Sequence, residues 1–388
     1  MRAIRDQAAP VRILSLLTPV PGPVHAVSKE LIHDAEYAPG LISWKLWWAQ
    51  IYFILSSPRK YFRLLFELLR EPCPARGFLL KRWVIFVKAV ALAKQLQGSS
   101  IKLLHTHFAW LPGAATRVMA ELLNLPYTVT THAYDIYSIE NDLLCLTIRS
   151  AAHIVTISEY NKVEMLRRCP GLDAERISII HCGVDTRRFS PQPHPVNDPL
   201  SIVAVGSLIE KKGHQYLVRA CRRLKEQGVH FKCTIIGRGK EEANLRQLIA
   251  DLNLEPCVTL AGAQDQQAVL ETYQRSDVFV LACVVDKGGD RDGIPVVLIE
   301  ALAMQLPTVS TQVSGIPELV RHEETGLLVA PRDDVALAQA LQRLGRDKEL
   351  RERLAHSGRA LVLTEFDIHK NARRLAGLFE ALIQERAK

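Results

Sequence analysis

Short runs rich in valine, isoleucine and leucine alternate along this chain with longer segments whose apolar residues recur every three or four positions. The short runs have the length of buried strands and the longer ones a helical period, so the pattern predicts strand-helix units wound into parallel sheets. In the second half "SIVAVG" (201–206), "FKCTIIG" (231–237), "CVTLAG" (257–262), "VFVLAC" (278–283), "PTVST" (307–311) and "GLLVA" (326–330) read as strands. In the first half "VRILSL" (11–16), "IKLLHTH" (101–107), "YTVTTH" (127–132), "HIVTIS" (153–158) and "ISIIHCG" (177–183) do the same. Between the halves "FSPQPHPVNDP" (189–199) holds four prolines, which suit neither a sheet interior nor a helix and predict an extended linker. The expected fold is α/β, with two doubly wound parallel-sheet domains facing a cleft: residues 1–193, then 194–369, with a last helix, 370–388, placed to pack back on the first. In such sheets ligands sit outside the carboxyl ends of the strands. The opening "MRAIRDQAAPVRILSL" reads as the tail of an amphipathic helix running into a strand.

A length of 388 residues fits two domains, and 48% apolar with 23% charged residues is the balance of an ordinary folded chain. Charge changes the picture more. The whole formal excess of +8 lies in residues 1–195, and residues 51–100 carry nine basic and two acidic side chains among Tyr52, Phe53, Tyr61, Phe62, Phe66, Trp83 and Phe86. Basic residues interleaved with rings suit an anionic membrane surface, the partner expected here, although a solvated face beside a core uses the same residues. No nucleic acid partner is expected. "LISWKLWWAQIYFIL" is too short to span a bilayer and "FLLKRWVIFVKAVALAKQL" is broken by Lys81, Arg82 and Lys88. "RAIRDQ" after Met1 is no secretory leader, and the eight cysteines lack a C-x-x-C or zinc spacing, so they read as reduced thiols in a cytoplasmic protein.

Three strand-end stretches of the second half carry candidate chemistry. "VGSLIEKKGHQYL" ends a strand at Gly206 and opens a helix after Gly213; new backbone N–H groups and Lys212 could cradle a phosphate. It matches neither G-x-x-x-x-G-K-[ST] nor G-x-G-x-x-G. "IIGRGKEE" places Gly237, Arg238 and Gly239 in a tight strand-to-helix turn. "RDGIPVVLIEALA" puts Asp292 in a loop, Gly293 at a sharp entry and Pro295 at the first helical position, with the N–H groups of Ile294, Val296 and Val297 facing an anion. Glu300 then lies roughly 7 to 8 Å beyond Pro295 along the helix axis, a spacing that could serve two sugars of one ligand.

The order and spacing of these stretches resemble the family 4 retaining glycosyltransferases of GT-B fold, whose two domains are Rossmann-like. Their Glu-x7-Glu motif has a form such as E-G-x-P-x-x-x-x-E-A-M-A, and this chain reads "DGIPVVLIEALA". "VSTQVSGIPELVRHEETGLLV", "IIHCGVDTRRFSP" and "TTHAYDIY" are also similar to that family's segments, above all in members that build exopolysaccharides such as colanic acid. The resemblance implies a donor site in which Lys212 binds the diphosphate, Asp292 meets the transferred sugar and Glu300 the ribose, with Ser207, Gly237, Arg238, Gly293, Ile294, Pro295 and Val296 lining it. Backbone near Gly262 would take the base. His132 would sit beneath the anomeric carbon, so that His132 and Asp292 are the implied catalytic pair. Where this chain has Ser207 the family usually has Arg, and where it has Asp292 the norm is Glu.

The activity implied is transfer of a hexose from a UDP- or GDP-sugar to a growing, lipid-linked exopolysaccharide or lipopolysaccharide precursor, at the inner face of the cytoplasmic membrane. No cofactor and no metal are expected. Asp290 and Asp292 do match the D-x-D metal pattern of the GT-A fold, but two parallel-sheet domains argue against that fold. A sugar-nucleotide epimerase of related fold is the alternative enzyme class. A sugar-nucleotide-binding protein impaired in catalysis is another, because the family's first strand, glycine-rich loop and most of its first helix have no counterpart before Met1.

Overall fold

The computed structural model describes residues 11–18, 31–71, 76–137, 143–192 and 198–387. The expected helix tail at residues 1–10 and positions 193–197 of the linker lie outside the described residues. The chain forms two compact units: residues 1–156, 162–180 and 373–388 in the first, 157–161 and 181–372 in the second.

In the first unit β3 (Leu104–His107), β4 (Tyr127–Thr131), β5 (His153–Thr156) and β6 (Ile177–Ile179) form a parallel sheet in sequence order. The expected strand at 11–16 is β1 (Ile13–Ser15), and it pairs in parallel with β2 (Ala35–Tyr37), which the hydrophobic pattern does not signal. This pair stands as a separate two-stranded sheet among the described residues. Helices Trp44–Ser56, Pro58–Arg70, Arg76–Leu96 and Leu111–Leu123 join the unit's core, where Leu46, Leu64, Leu68, Phe86 and Leu92 are buried together. Arg82 is buried among them because its guanidinium donates to the carbonyls of Leu68 (3.2 Å) and Glu71 (2.7 Å), closing the end of helix Pro58–Arg70.

The rings expected at a membrane surface divide. Phe53, Tyr61 and Phe86 belong to the core, while Phe62 and Phe66 are exposed alongside Trp44, Trp47 and Trp48. Helical periodicity sets this division: Leu64 and Leu68 turn inward with Tyr61, and Phe62 and Phe66 turn out.

In the second unit β7 (Leu200–Val205), β8 (Phe231–Ile236), β9 (Val258–Leu260), β10 (Val278–Leu281), β11 (Thr308–Thr311) and β12 (Leu327–Val329) form one sheet, all parallel. Their order is β12-β11-β10-β7-β8-β9. Alternate residues feed two cores: Ile202, Ala204, Val278 and Val280 face one side, and Val203, Phe279 and Leu281 the other. The winding starts at β7, runs outward to β9, returns to β10 beside β7 and runs outward again. Strand order therefore reverses between β7 and β10, where an open α/β sheet leaves a crevice at its carboxyl ends.

One cysteine expectation is corrected. Cys145 and Cys169, 24 residues apart, are joined in a disulfide with Cα atoms 5.5 Å apart, while Cys182, Cys221, Cys233, Cys257 and Cys283 are free thiols. The chain returns from helix Leu144–Arg149 through β5 and helix Glu159–Arg168, and that path, not a local spacing, brings the two together.

Candidate functional site

The loop after β7 and the loop after β10 meet at the reversal point. After β7 the chain turns through Glu210–Lys212 into Gly213, whose φ of 67° is left-handed. A side chain there would place its Cβ 1.7 Å from the Ala282 carbonyl oxygen, so glycine is required twice over. This close approach lets the helix His214–Glu226 begin against the end of β10 with no side-chain cap on its first N–H groups. Val284 N–H donates to the Lys211 carbonyl at 2.9 Å and fixes the two loops together.

Two lysines of the first loop then meet two carboxylates of the second. Lys212 Nζ lies 2.8 Å from Asp292 Oδ2, and Lys211 Nζ lies 2.9 Å from Asp290 Oδ2 and 3.9 Å from Asp292 Oδ1. Burial works against the Lys212 ammonium, but Asp292, with Asp290 further off, holds its pKa above the ordinary value. The buried Cys283 thiol is 3.6 Å from Asp292 Oδ2; burial and that carboxylate push its pKa up, so it stays a thiol. Among the described residues no group of three or more His, Cys, Asp or Glu gathers as a metal site. Both acids of the D-x-D sequence are instead partnered by ammonium groups.

The carboxylate loop is shaped by Asp286, whose Oδ1 accepts from the N–H groups of Gly288 (2.8 Å) and Asp290 (2.9 Å). The sharp turn falls at Gly289, with φ of 81°, and not at Gly293, which is a buried residue without positive φ. Pro295 is likewise the N-cap of helix Val296–Ala303 and not its first residue, because its ψ of 129° is extended. Val296 is exposed at the helix start, and Ile294 is buried. Glu300, half-buried, accepts a hydrogen bond from Tyr273 Oη at 3.2 Å. Burial raises its pKa to about 7, opposed by Tyr273 and by Arg188.

The remaining expected residues of this unit lie in the loops after β7, β8 and β9. Gly237 has φ of 155°, and a Cβ there would overlap the Gly206 carbonyl oxygen at 1.9 Å. Its N–H donates to the Gly262 carbonyl at 2.9 Å, and the Leu208 N–H donates to the Arg238 carbonyl at the same distance. The Ser207 and Arg238 side chains face solvent.

In the first unit His132 follows β4, and its backbone N–H donates to Asp135 Oδ2 at 2.8 Å. Its Nε2 is 3.3 Å from His107 Nδ1, and the Phe108 ring centroid lies 4.6 Å from its own. Burial and His107 lower its pKa to about 4; burial, His107 and His132 bring His105 to about 3, so both are neutral imidazoles at pH 7. Burial raises Asp135 to about 6 against the backbone N–H groups that hold it.

Residues 50–188 match the family described as Glycosyltransferase Family 4, and residues 185–361 match Glycosyl transferases group 1. The chain belongs to the family 4 glycosyltransferases. It is 40% identical over 213 residues to the amylovoran biosynthesis glycosyltransferase AmsK of Erwinia amylovora, covering 55% of this chain and 52% of that protein. It is 41% identical over 214 residues to the putative colanic acid biosynthesis glycosyltransferase WcaL of Escherichia coli K12, covering 55% and 53%. The chain thus spans about half the length of the curated relatives it matches. In fold it is similar to Anabaena HepE, whose crystal structure holds UDP and glucose: TM-score 0.68 at 16% identity, over 91% of this chain and 88% of that one.

For a family 4 glycosyltransferase the geometry sorts the expected residues plainly. Lys212 and Asp292 are in direct contact, with Gly206, Gly213 and Gly237 bringing the backbones close enough for it. Glu300 follows on the helix that Asp292 leads into, and His132 belongs to the other unit. Sequence reasoning missed Lys211, His107 and Tyr273. His107 was findable, since "HTH" on a strand puts His105 and His107 on one face. No spacing pairs Tyr273 with Glu300. A cavity of about 450 Å³, lined by Met304, Lys348 and Arg351 among others, opens beside Asp277 and Pro307, at the amino ends of β10 and β11 and so at the opposite end of the sheet from Lys212.

Proposed function

We propose that this chain is a retaining hexosyltransferase that takes a UDP- or GDP-sugar as donor and works without a metal or cofactor. The observation that carries the reading is the Lys212–Asp292 pair at the point of strand reversal. Without a ligand each group neutralises the other. An arriving diphosphate competes for the Lys212 ammonium with two phosphates' worth of charge, and the Asp292 carboxylate is released to accept from the hydroxyls of the sugar. The uncapped start of helix His214–Glu226 adds fixed N–H dipoles on the phosphate side. As the bond from the anomeric carbon to the diphosphate oxygen breaks, charge grows on the leaving group, and preorganised donors there act where the transition state needs them. Asp292 is shorter than the family's usual glutamate, so the sugar must come closer or be reached through a water. In its own unit His132 is neutral at pH 7 and offers a hydrogen-bonding nitrogen without adding charge.

The acceptor in this reading is a growing, lipid-linked exopolysaccharide precursor on the cytoplasmic membrane face. Support comes from the exopolysaccharide relatives and from the outer faces of helices Trp44–Ser56 and Pro58–Arg70. Those faces expose Trp44, Trp47, Trp48, Phe62 and Phe66 together with Lys45, Arg59, Arg63 and Arg70. No helix among the described residues is long and apolar enough to cross a membrane, so attachment would be to one face. Flotation with vesicles containing an anionic lipid tests this: wild type should float, and a Trp44→Ser/Trp48→Ser variant should not. Equal flotation of both would refute it.

The donor reading is tested by hydrolysis of UDP-, GDP- and ADP-sugars in EDTA, on wild type and Glu300→Ala. Turnover in EDTA that is lost in the variant is expected. Turnover that needs added Mn2+ would refute metal independence, and undiminished turnover in the variant would remove Glu300 from the donor pocket.

A further inference from the structure

Glu300 sits on a helix whose neighbours in sequence, Ile299 and Ala301, are fully buried, yet it carries an ionisable group into the same packing. Its Oε2 is held by Tyr273, which comes from a different helix, Gln266–Gln274, and is itself only 1% exposed. The Tyr273 ring packs edge-on to Phe279, centroids 5.8 Å apart, a contact that phenylalanine would make equally well. The hydroxyl therefore serves Glu300 and not the packing. We propose that Tyr273 is a positioning residue for donor recognition: its phenol fixes one oxygen of Glu300 so that the other faces the hydroxyls of the nucleotide's sugar. This rests on the reading of Glu300 as a donor-binding residue.

A carboxylate accepts from a diol best when ionised, and the phenol supports that form. The charged or titratable groups facing Glu300 are Tyr273 from one helix and Arg188 from the segment after β6, and both favour ionisation against burial. Removing the phenol leaves burial opposed by Arg188 alone, so Glu300 ionises at higher pH. The loss of affinity is then greatest near neutrality and shrinks in alkali, whereas a purely structural defect would weaken binding alike at every pH.

The test titrates UDP and GDP separately into wild type, Tyr273→Phe, Glu300→Gln and the double variant by calorimetry. Losing one hydrogen bond to a charged group, Tyr273→Phe should bind about tenfold more weakly near pH 7 and recover most of that near pH 9. In the Glu300→Gln background it should add less than about twofold, since the carboxylate whose ionisation the phenol supports is gone. Incorporating 3-fluorotyrosine at position 273, a stronger donor in an unchanged shape, should extend binding to lower pH, and it stands in should the phenylalanine variant fail to fold. Unchanged affinity of Tyr273→Phe at pH 7, a pH-independent loss, or no shift with 3-fluorotyrosine overturns the proposal while Glu300→Gln still weakens binding. If Glu300→Gln binds as wild type, the donor reading of Glu300 falls and takes this proposal with it.

Discussion

Replacing Glu300 by glutamine should make the ligand-free protein more stable in mild alkali while weakening its hold on the donor. In the unfolded chain this carboxyl ionises near its ordinary 4.5; folded, burial raises that to about 7. Between those values the unfolded state gives up its proton and the folded state keeps it, so stability falls as pH rises from about 4.5 through about 7 and stays lowered above. At 1.36 kcal/mol per pKa unit the full cost is about 3 kcal/mol, an upper figure because Glu300 retains some solvent. Glutamine has no charge to bury and can still accept from Tyr273 through its amide oxygen. Thermal unfolding followed by fluorescence, at about pH 5 and about pH 8.5, reads the difference between the two proteins. The gap in Tm should be small at the lower pH and reach roughly 5 °C at the higher, at some 2 to 4 °C per kcal/mol for a unit of this size. Asp135 and the buried histidines titrate in both proteins and cancel in that gap. A gap that is the same at both pH values, or a glutamine variant less stable in alkali, would mean that Glu300 is not held at a cost in the folded state.

The Lys212–Asp292 contact gives a cycle of its own. Lys212→Ala should lose about 2 kcal/mol of stability, because a largely buried carboxylate is left with only the more distant Lys211 ammonium and the Cys283 thiol, and Lys212→Ala/Asp292→Asn should recover most of it with donor turnover still absent. Denaturant melts measure the first part and hydrolysis the second; full turnover in Lys212→Ala would show that the ammonium is not the phosphate's partner. Gly213→Ala should cost at least about 2 kcal/mol, from the left-handed φ and the overlap with Ala282, and a melt within about 0.5 kcal/mol of wild type would refute the close approach. His105 and His132 are held neutral by burial, with pKa values of about 3 and about 4, below the ordinary 6.5. The unfolded chain binds their protons first as pH falls below about 6.5, so their contribution, whole above that pH, is lost progressively toward about 4. His105→Gln should flatten that acid limb in a pH series of melts, and an unchanged limb would contradict it.

The sheets were legible from the chain because every strand but one among the described residues falls within a run rich in β-branched and apolar residues, even where His105 and His107 interrupt it. The exception, Ala35–Tyr37, is three residues long and contains Glu36, which pairs with Arg12 and would not read as a strand from hydropathy. Lys212 and Asp292 were legible as residues of loops that follow strands, and Glu300 as a residue of the helix beyond. Their contacts were not, because the partner of Lys212 is chosen by strand order: β7 and β10 are 73 residues apart at Val205 and Val278 and adjacent only after the sheet reverses. The entry to helix Val296–Ala303 was misread for a local reason. Gly293 and Pro295 carry the right residue types for a turn and a first helical position, but the Asp286 carboxylate draws the turn back to Gly289. The disulfide between Cys145 and Cys169 was illegible because it is tertiary, with one β-strand and one helix lying between the two cysteines.

The reversal of strand order has a consequence for how this region comes together. A stretch that stops short of β10 supplies the lysines with nothing opposite, and one that lacks β7 supplies two acids with no counter-charge. Neither half of the pocket can form by local contacts, so its closure must follow the long-range pairing of β7 with β10, a step of high loop entropy. The ability to bind a nucleotide would then report a completed sheet, and a partly folded chain would neither trap the donor nor waste it.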